Sequence, residues 1–327
     1  MADFTAAQFT PVNLITGFLG SGKTTLLQRL LADPALADTA VLINEFGEVG
    51  LDHHLLERID DTMVLLQSGC LCCTIRGELS AAIKDLHSKR ERGLVPAFRR
   101  LVVESTGLAD PFPILSTVQA DPVLRHHFRL GNVITTVDAV NGLSRPESLK
   151  QVAVADRLVL TKTDLAHDCE ALVEELRRLN PDAPLWRAAE EKIDAAALFD
   201  DGRHSTLRAY PATEEAPHGS IHAFAVAFDG ALDWTMFGVW LTMLLNRHGN
   251  AILRVKGILN VAGSPTPVAV HGVQHLVHPP MHMAAWPDAD RRSRLVFIVD
   301  GLERSAIERS LEAFLSPVRQ AHTTAVA

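Results

Sequence analysis

Cys70, Cys72 and Cys73 stand in the stretch "SGCLCCTIRGEL" and are three of the four cysteines in the chain. Sulfurs this close together form a soft ligand set for a metal ion. Zn²⁺ prefers four ligands in a tetrahedron, and closed structural sites usually pair two Cys-x-x-Cys knuckles. The sequence has no second knuckle. One coordination position is then open or filled by a weaker ligand, which suits a metal that leaves by ligand exchange. The stretch "NEFGEVGLDHH" offers candidates for that position: Glu45, Glu48, Asp52, His53 and His54. A helix expected just after the thiols, with Arg76 nearby, favours thiolate over thiol. Two other readings stand beside metal binding. Cysteine packs readily into cores, although flanking Ser68, Gly69, Thr74 and Gly77 argue against a core strand. Redox chemistry more often uses Cys-x-x-Cys. Cys169 stands alone and reads as a packing residue.

A second set of reactive positions lies upstream in "GFLGSGKTTLL". Gly17, Gly22, Lys23 and Thr24 match the pattern G-x-x-x-x-G-K-[ST]. Such glycines let backbone N–H groups curl around phosphates, and the following helix N-terminus adds positive potential. Lys23 would neutralise β- and γ-phosphates, and Thr24 would offer its hydroxyl to Mg²⁺.

Two further motifs follow apolar runs. In "TKTD" (161–164), Asp164 can accept hydrogen bonds from the N1–H and exocyclic amine of guanine. ATP would leave that acceptor unpaired. Lys162 can lay its methylene stem over the base. Thr161 replaces the Asn that usually begins such a motif, and in isolation the stretch also reads as a helix cap. In "VVESTGLADP" (102–111), Glu104 ends a strand, where a carboxylate holds Mg²⁺ through water or orients an attacking water. Gly107 can bring its backbone toward a γ-phosphate. Residues 104–111 are thus a switch candidate, with a capped turn as the plainer alternative.

These motifs need strands and helices to position them. Apolar runs predict strands at 12–17, 39–46, 99–107, 131–140 and 156–165. Leu26, Leu27, Leu30 and Leu31 share one face of a predicted helix over 23–33. Leu79, Ala82, Ile83 and Leu86 do so over 77–91, and an amphipathic helix over 170–180 is stopped by Pro181. Alternating strands and helices imply an α/β domain with a parallel sheet wound by helices on both faces. The polar motifs follow strands, where such folds place ligands. The pattern changes at a linker near 208–224. Beyond it, strands at 220–228, 250–262, 267–277 and 293–299 and helices at 233–247 and 302–315 make a small α+β domain. His271, His275, His278 and His282 sit in this part; a strand there puts His271 and His275 on one face and His278 on the other. They read better as surface or satisfied histidines than as a second metal site.

The chain has 327 residues, a length that suggests about two domains. Its net charge of −8, without a long basic run, argues against nucleic acid as the main partner. No apolar run reaches the ~20 residues that span a bilayer, and the N-terminus does not read as a signal peptide. The expected setting is cytoplasmic, where clustered thiols stay reduced and bind metal or act in redox chemistry.

Together "GFLGSGKTTLL", "NEFGEVGLD", "GCLCC", "ESTGLADP", "VDA" (137–139), "TKTDL", "RVKG" (254–257), "VQHL" and "VFIV" resemble the CobW-type GTPases, a group proposed to act as metallochaperones. The resemblance covers nearly the whole chain. It implies a P-loop NTPase of the SIMIBI type in residues 1–213 and a CobW C-terminal α+β domain in 218–327. It implies hydrolysis of GTP with Mg²⁺, coupled to delivery of Zn²⁺ or another metal to a client apoprotein. It carries metal binding onto Cys70, Cys72 and Cys73. Nucleotide contacts fall on Gly20, Ser21, Gly22, Lys23, Thr24 and Thr25, and on Asp164. A GTP-gated zinc sensor or buffer without a client, or an activator of one iron or cobalt enzyme, are the rival readings. The sequence leaves the oligomeric state open.

Overall fold

The computed structural model describes residues 9–45, 63–67, 74–188, 193–200 and 220–324. The chain divides into two compact units, residues 1–174 with 183–202, and residues 175–182 with 203–327.

The first unit is built on a seven-stranded sheet. Its strands are β1 (Thr10–Gly17), β2 (Thr39–Glu45), β3 (Met63–Gln67), β4 (Arg100–Glu104), β5 (Phe128–Asp138), β6 (Arg157–Thr161) and β7 (Leu185–Arg187). Their order is β3-β2-β4-β1-β5-β6-β7, and every pairing is parallel. β1 is central and buried along nearly its whole length, its polar Thr10, Asn13 and Thr16 included. Between strands come α1 (Lys23–Leu31), α2 (Thr74–Glu91), α3 (Phe112–Ala120), α4 (Leu124–His127), α5 (Pro146–Ala153), α6 (Glu170–Leu179) and α7 (Ala195–Phe199). Leu26, Leu27 and Leu30 of α1 pack on Ile15, Val41, Val102, Ile134 and Val159. Each such buried side chain contributes about 1.5–3 kcal/mol.

The strand and helix pattern read from the sequence is the one observed, with additions. The sequence reading omits β3, β7, α3, α4, α5 and α7. α3 buries five consecutive residues, Ile114 to Val118, so it lacks an amphipathic period. The buried face of α5 includes Ser148 and Gln151, which hides it from a hydrophobic pattern. Both helices carry proline in the first turn, where its missing N–H costs nothing.

The second unit holds a six-stranded sheet. It contains β8 (Ile221–Phe228), α8 (Trp234–His248), β9 (Ile252–Leu259), β10 (Val268–Val273), β11 (Leu276–Val277), β12 (Met281–His282), β13 (Ser293–Asp300) and α9 (Arg304–Thr324). The strand pairings are antiparallel, in the order β11-β10-β9-β13-β8 with β12 also on β10. Phe237, Trp240 and Leu241 of α8 share a core with Val255, Leu259, Phe297, Ile307 and Leu311. The Trp240 indole N–H donates to Ser310 at 3.0 Å and ties α8 to α9.

The histidine row departs from expectation. β10 ends at Val273, and Gln274 turns the chain with φ 50°. His271 therefore lies on β10 and His275 in the turn beyond it, not on one face of one strand. His275 Nε2 pairs with Asn250 Oδ1 at 3.1 Å. Among the described residues no group of three His, Cys, Asp or Glu is placed to hold a metal. None of the described helices is long and apolar enough to cross a membrane.

Asp121 joins α2 to the start of α4. Its carboxylate accepts from Ser80 Oγ at 2.6 Å, Lys84 Nζ at 2.5 Å, and the Val123 and Leu124 N–H groups at 2.9 and 3.2 Å. Burial pushes its pKa up, but Lys84, Ser80 and the two amides hold it far below the usual carboxylate range. Asp121→Ala should cost about 1–3 kcal/mol. Because folding lowers this pKa, the contribution is full above the unfolded value of ~3.9. It disappears as pH falls through the folded value. Thermal melts should show a gap between wild type and variant at pH 7 that closes as pH falls below ~4. A gap that persists at low pH would exclude the carboxylate as its source.

Candidate functional site

The loop between β1 and α1 is folded around its own lysine. Lys23 is 9% exposed, and its ammonium donates to the Gly17 carbonyl at 2.9 Å and the Phe18 carbonyl at 3.1 Å. The chain turns with φ of 72° at Gly20 and 86° at Gly22, values that side chains disfavour. A Cβ on Gly17 would lie 2.3 Å from Thr136 Oγ1, so no side chain fits there. Neighbouring strands brace the loop. Ser21 Oγ bonds Thr136 Oγ1 of β5 at 2.6 Å. Thr161 Oγ1 of β6 lies 2.7 Å from the Ser21 carbonyl and 3.1 Å from that of Val137. The hydroxyl of Thr161 thus ties the loop to the end of β6. Thr25 is exposed on the first turn of α1, whose unpaired N–H groups favour an anion.

The β4 end meets this loop directly. Thr24 Oγ1 donates to Glu104 Oε1 at 2.6 Å, and Glu104 is 4% exposed. This pair of hard oxygens at the head of α1 fits Mg²⁺. Ser105 N–H donates to the Ile15 carbonyl at 2.9 Å, and Ser105 Oγ to Thr16 Oγ1 at 2.9 Å. A Cβ on Gly107 would lie 2.4 Å from the Leu19 nitrogen. Glycine is therefore required at 107 by close packing on the phosphate loop.

At the β6 end Lys162 takes φ 57° and aims its ammonium at Asp138 of β5. Leu165 N–H closes the turn on the Lys162 carbonyl at 3.0 Å, leaving Asp164 exposed. Asp138 also accepts from Val140 N–H at 2.8 Å and Asn141 Nδ2 at 2.9 Å. Burial raises its pKa, but Lys162, Val140 and Asn141 outweigh that and hold it below the usual range. Ser21, Thr136, Asp138, Asn141, Ser148 and Gln151 line a narrow crevice beside the loop.

The structure thus brings together Gly17, Gly20, Ser21, Gly22, Lys23, Thr24, Glu104, Gly107 and Thr161. Thr136, Asp138, Asn141 and Gln151 join them unforeseen. Only Asp138 had a signal, in "VDA", and that motif carried no role. Cys70, Cys72, Cys73, Glu48, Asp52, His53 and His54 lie outside the described residues, as does the side chain of Glu45. The backbone of β3 ends at Gln67, paired with Glu45 at the strand end of β2.

A parallel sheet whose central strand feeds a glycine-rich turn and a helix makes this an α/β P-loop nucleotide-binding protein. Residues 11–187 match the family described as CobW/HypB/UreG, nucleotide-binding domain. Residues 221–315 match the cobalamin synthesis protein cobW C-terminal domain. The chain belongs to this CobW family. It is 35% identical over 297 residues to the zinc chaperone YjiA of Escherichia coli, covering 88% of this chain and 93% of the relative. Over 166 residues it is 35% identical to the zinc-regulated GTPase metalloprotein activator 1 of Schizosaccharomyces pombe, 47% of this chain and 39% of that one. The crystal structure of Zn(II)-bound YjiA GTPase from E. coli superposes with a TM-score of 0.70 at 30% identity, covering 94% of this chain and 99% of that one.

Thr161→Val keeps shape but strips the loop of this hydroxyl and leaves the Ser21 carbonyl short of a donor. It should destabilise the first unit by about 1–3 kcal/mol in denaturant unfolding. Thr161→Ser retains the donor and should cost less. Equal costs for the two would assign the effect to the methyl group instead.

Proposed function

We propose that this chain is a GTP-hydrolysing metallochaperone that holds zinc at Cys70, Cys72 and Cys73 and passes it to a client apoprotein. One observation carries the reading: the phosphate loop and the strand leading to the thiols emerge from one edge of one parallel sheet. β3 ends at Gln67, three positions before Cys70, in register with β2, which pairs with β4. The GTPase domain would occupy residues 1–213, and residues 218–327 would supply a partner surface.

In this reading Lys23 and the backbone amides of residues 20–25 bind the phosphates. Thr24, with Glu104 beside it, holds Mg²⁺, which when bound would neutralise charge on the β- and γ-phosphates. Asp164 reads guanine, and Lys162, steadied by Asp138, supports the base with its stem. Glu45 or Glu48 completes the metal's shell. Relatives named zinc chaperone and zinc-regulated GTPase metalloprotein activator support both the cargo and a client.

Base recognition is tested at Asp164. Xanthine carries an oxygen where guanine carries the exocyclic amine, so Asp164→Asn should weaken GTP and strengthen XTP binding, each about tenfold or more. Calorimetry with GTP, XTP and ATP reads this out. Unchanged preference would remove Asp164 from the base site.

Cargo coupling is tested by linkage. Zn²⁺ is titrated into the protein when empty, GDP-bound and bound to a non-hydrolysable GTP analogue. The affinities should differ by about 5–150-fold between states, and zinc should change nucleotide affinity by the same factor. Replacing the three cysteines with Ser should abolish the effect. Identical zinc affinity in all states would separate the metal from the nucleotide.

A further inference from the structure

The loop after β4 is held by a residue that belongs to no motif. Gln151 lies on α5 and is 1% exposed. Its Nε2 donates to the Gly107 carbonyl at 3.1 Å and to the Ala109 carbonyl at 3.2 Å. Both amide hydrogens are thereby committed to one loop. Turning the carboxamide over would set its oxygen against two carbonyl oxygens, so this pairing fixes its orientation. Oε1 of the same amide is buried and accepts no hydrogen bond among the described residues. Buried polar atoms without a partner are uncommon in folded proteins. The side chain is placed for what its donors hold, at the expense of its acceptor.

Both sides of the arrangement are rigid. The Gln151 backbone carbonyl accepts from Thr135 Oγ1 of β5 at 2.9 Å, which roots the amide on the strand next to β1. Opposite, the loop has no slack, because even one added carbon on Gly107 would lie 2.4 Å from the Leu19 nitrogen. The Gly107 peptide is caught between the phosphate loop and an amide anchored to the sheet.

We propose that Gln151 is the positioning residue of the Glu104–Ala109 loop, holding its carbonyls so that the loop stays seated on the phosphate loop when a γ-phosphate is bound. The inference rests on the nucleotide reading above and deepens it. A diphosphate lacks the group this loop would meet. Gln151 should therefore matter for triphosphate binding and turnover, and little for diphosphate binding.

The test uses the full chain with Gln151→Met, which keeps length and removes both donors, and Gln151→Glu, which presents oxygen to the two carbonyls. GDP and a non-hydrolysable GTP analogue are titrated by calorimetry, and steady-state GTP hydrolysis is measured alongside. The expected result is a kcat lowered about tenfold or more, greater for Glu than for Met. Analogue affinity should fall about fivefold and GDP affinity stay within about twofold. Equal losses for GDP and the analogue would overturn the proposal, because a merely structural role lowers both. So would turnover within about twofold of wild type. Should both variants fail to fold, Thr135→Val loosens the anchor without touching the loop. It should show the same split between analogue and GDP in weaker form, and no split would overturn the proposal. Wild-type protein that binds neither nucleotide would defeat the underlying reading; wild-type turnover undiminished in the Gln151 variants defeats this inference alone.

Discussion

A buried ammonium sets the terms for the rest of the first unit. Leaving a cation in an apolar interior without partners is expensive. Lys23 meets this constraint with the carbonyls of Gly17 and Phe18 from its own loop. The chain must curl tightly to deliver them, which requires the left-handed turns at Gly20 and Gly22. A loop so wound leaves Leu19 half exposed and is held by the sheet. That task falls on Thr136 and Thr161, at the ends of the two strands beyond β1 on one side. On the other side, Ser105 and Gly107 fit β4 and its loop against Thr16 and Leu19.

The bracing chemistry is uniform. Ser21, Thr16, Ser105, Thr136 and Thr161 are all buried, and all bond through hydroxyls. A hydroxyl donates once and accepts in a direction it chooses, so short side chains can link neighbouring strand ends in several geometries. Threonine also suits extended backbone. Strand register is in this way translated into the position of the loop. The pairing of Ile15 with Glu104 brings the Glu104 carboxylate level with the start of α1.

Local signals made much of this legible in the sequence. The phosphate loop is a contiguous pattern whose glycines and lysine act on one another, so reading it needs no knowledge of the sheet. Apolar runs exposed the main strands for the same reason. The role of Asp138 and the place of Gln151 could not be read because their partners lie 24 and 44 positions away, across strands whose order the sequence does not state. α3 and α5 were missed because burial on most sides, or a polar buried face, erases the period of 3.6 residues. His275 was misplaced because a single non-glycine turn at Gln274 carries no composition signal. The hydroxyl of Thr161 reaches the Ser21 carbonyl 140 positions away, a contact that local sequence does not announce.

The central place of β1 has a consequence for how the polypeptide is made. β1 leaves the ribosome before both of its sheet partners, β4 at Arg100–Glu104 and β5 at Phe128–Asp138. At ~5–20 residues per second, synthesis from one to the other takes on the order of ten seconds. Until β4 is made this strand has both edges unpaired, and until β5 one of them, the condition under which nascent chains seek wrong partners. β2 and β3 can pair with each other meanwhile, but β2 meets the rest of the sheet only through β4. The centre of the sheet therefore cannot close until β4 and β5 have been made. A slow codon run before residue 138 would lengthen the exposed period, whereas one after β6 would leave the centre of the sheet already closed.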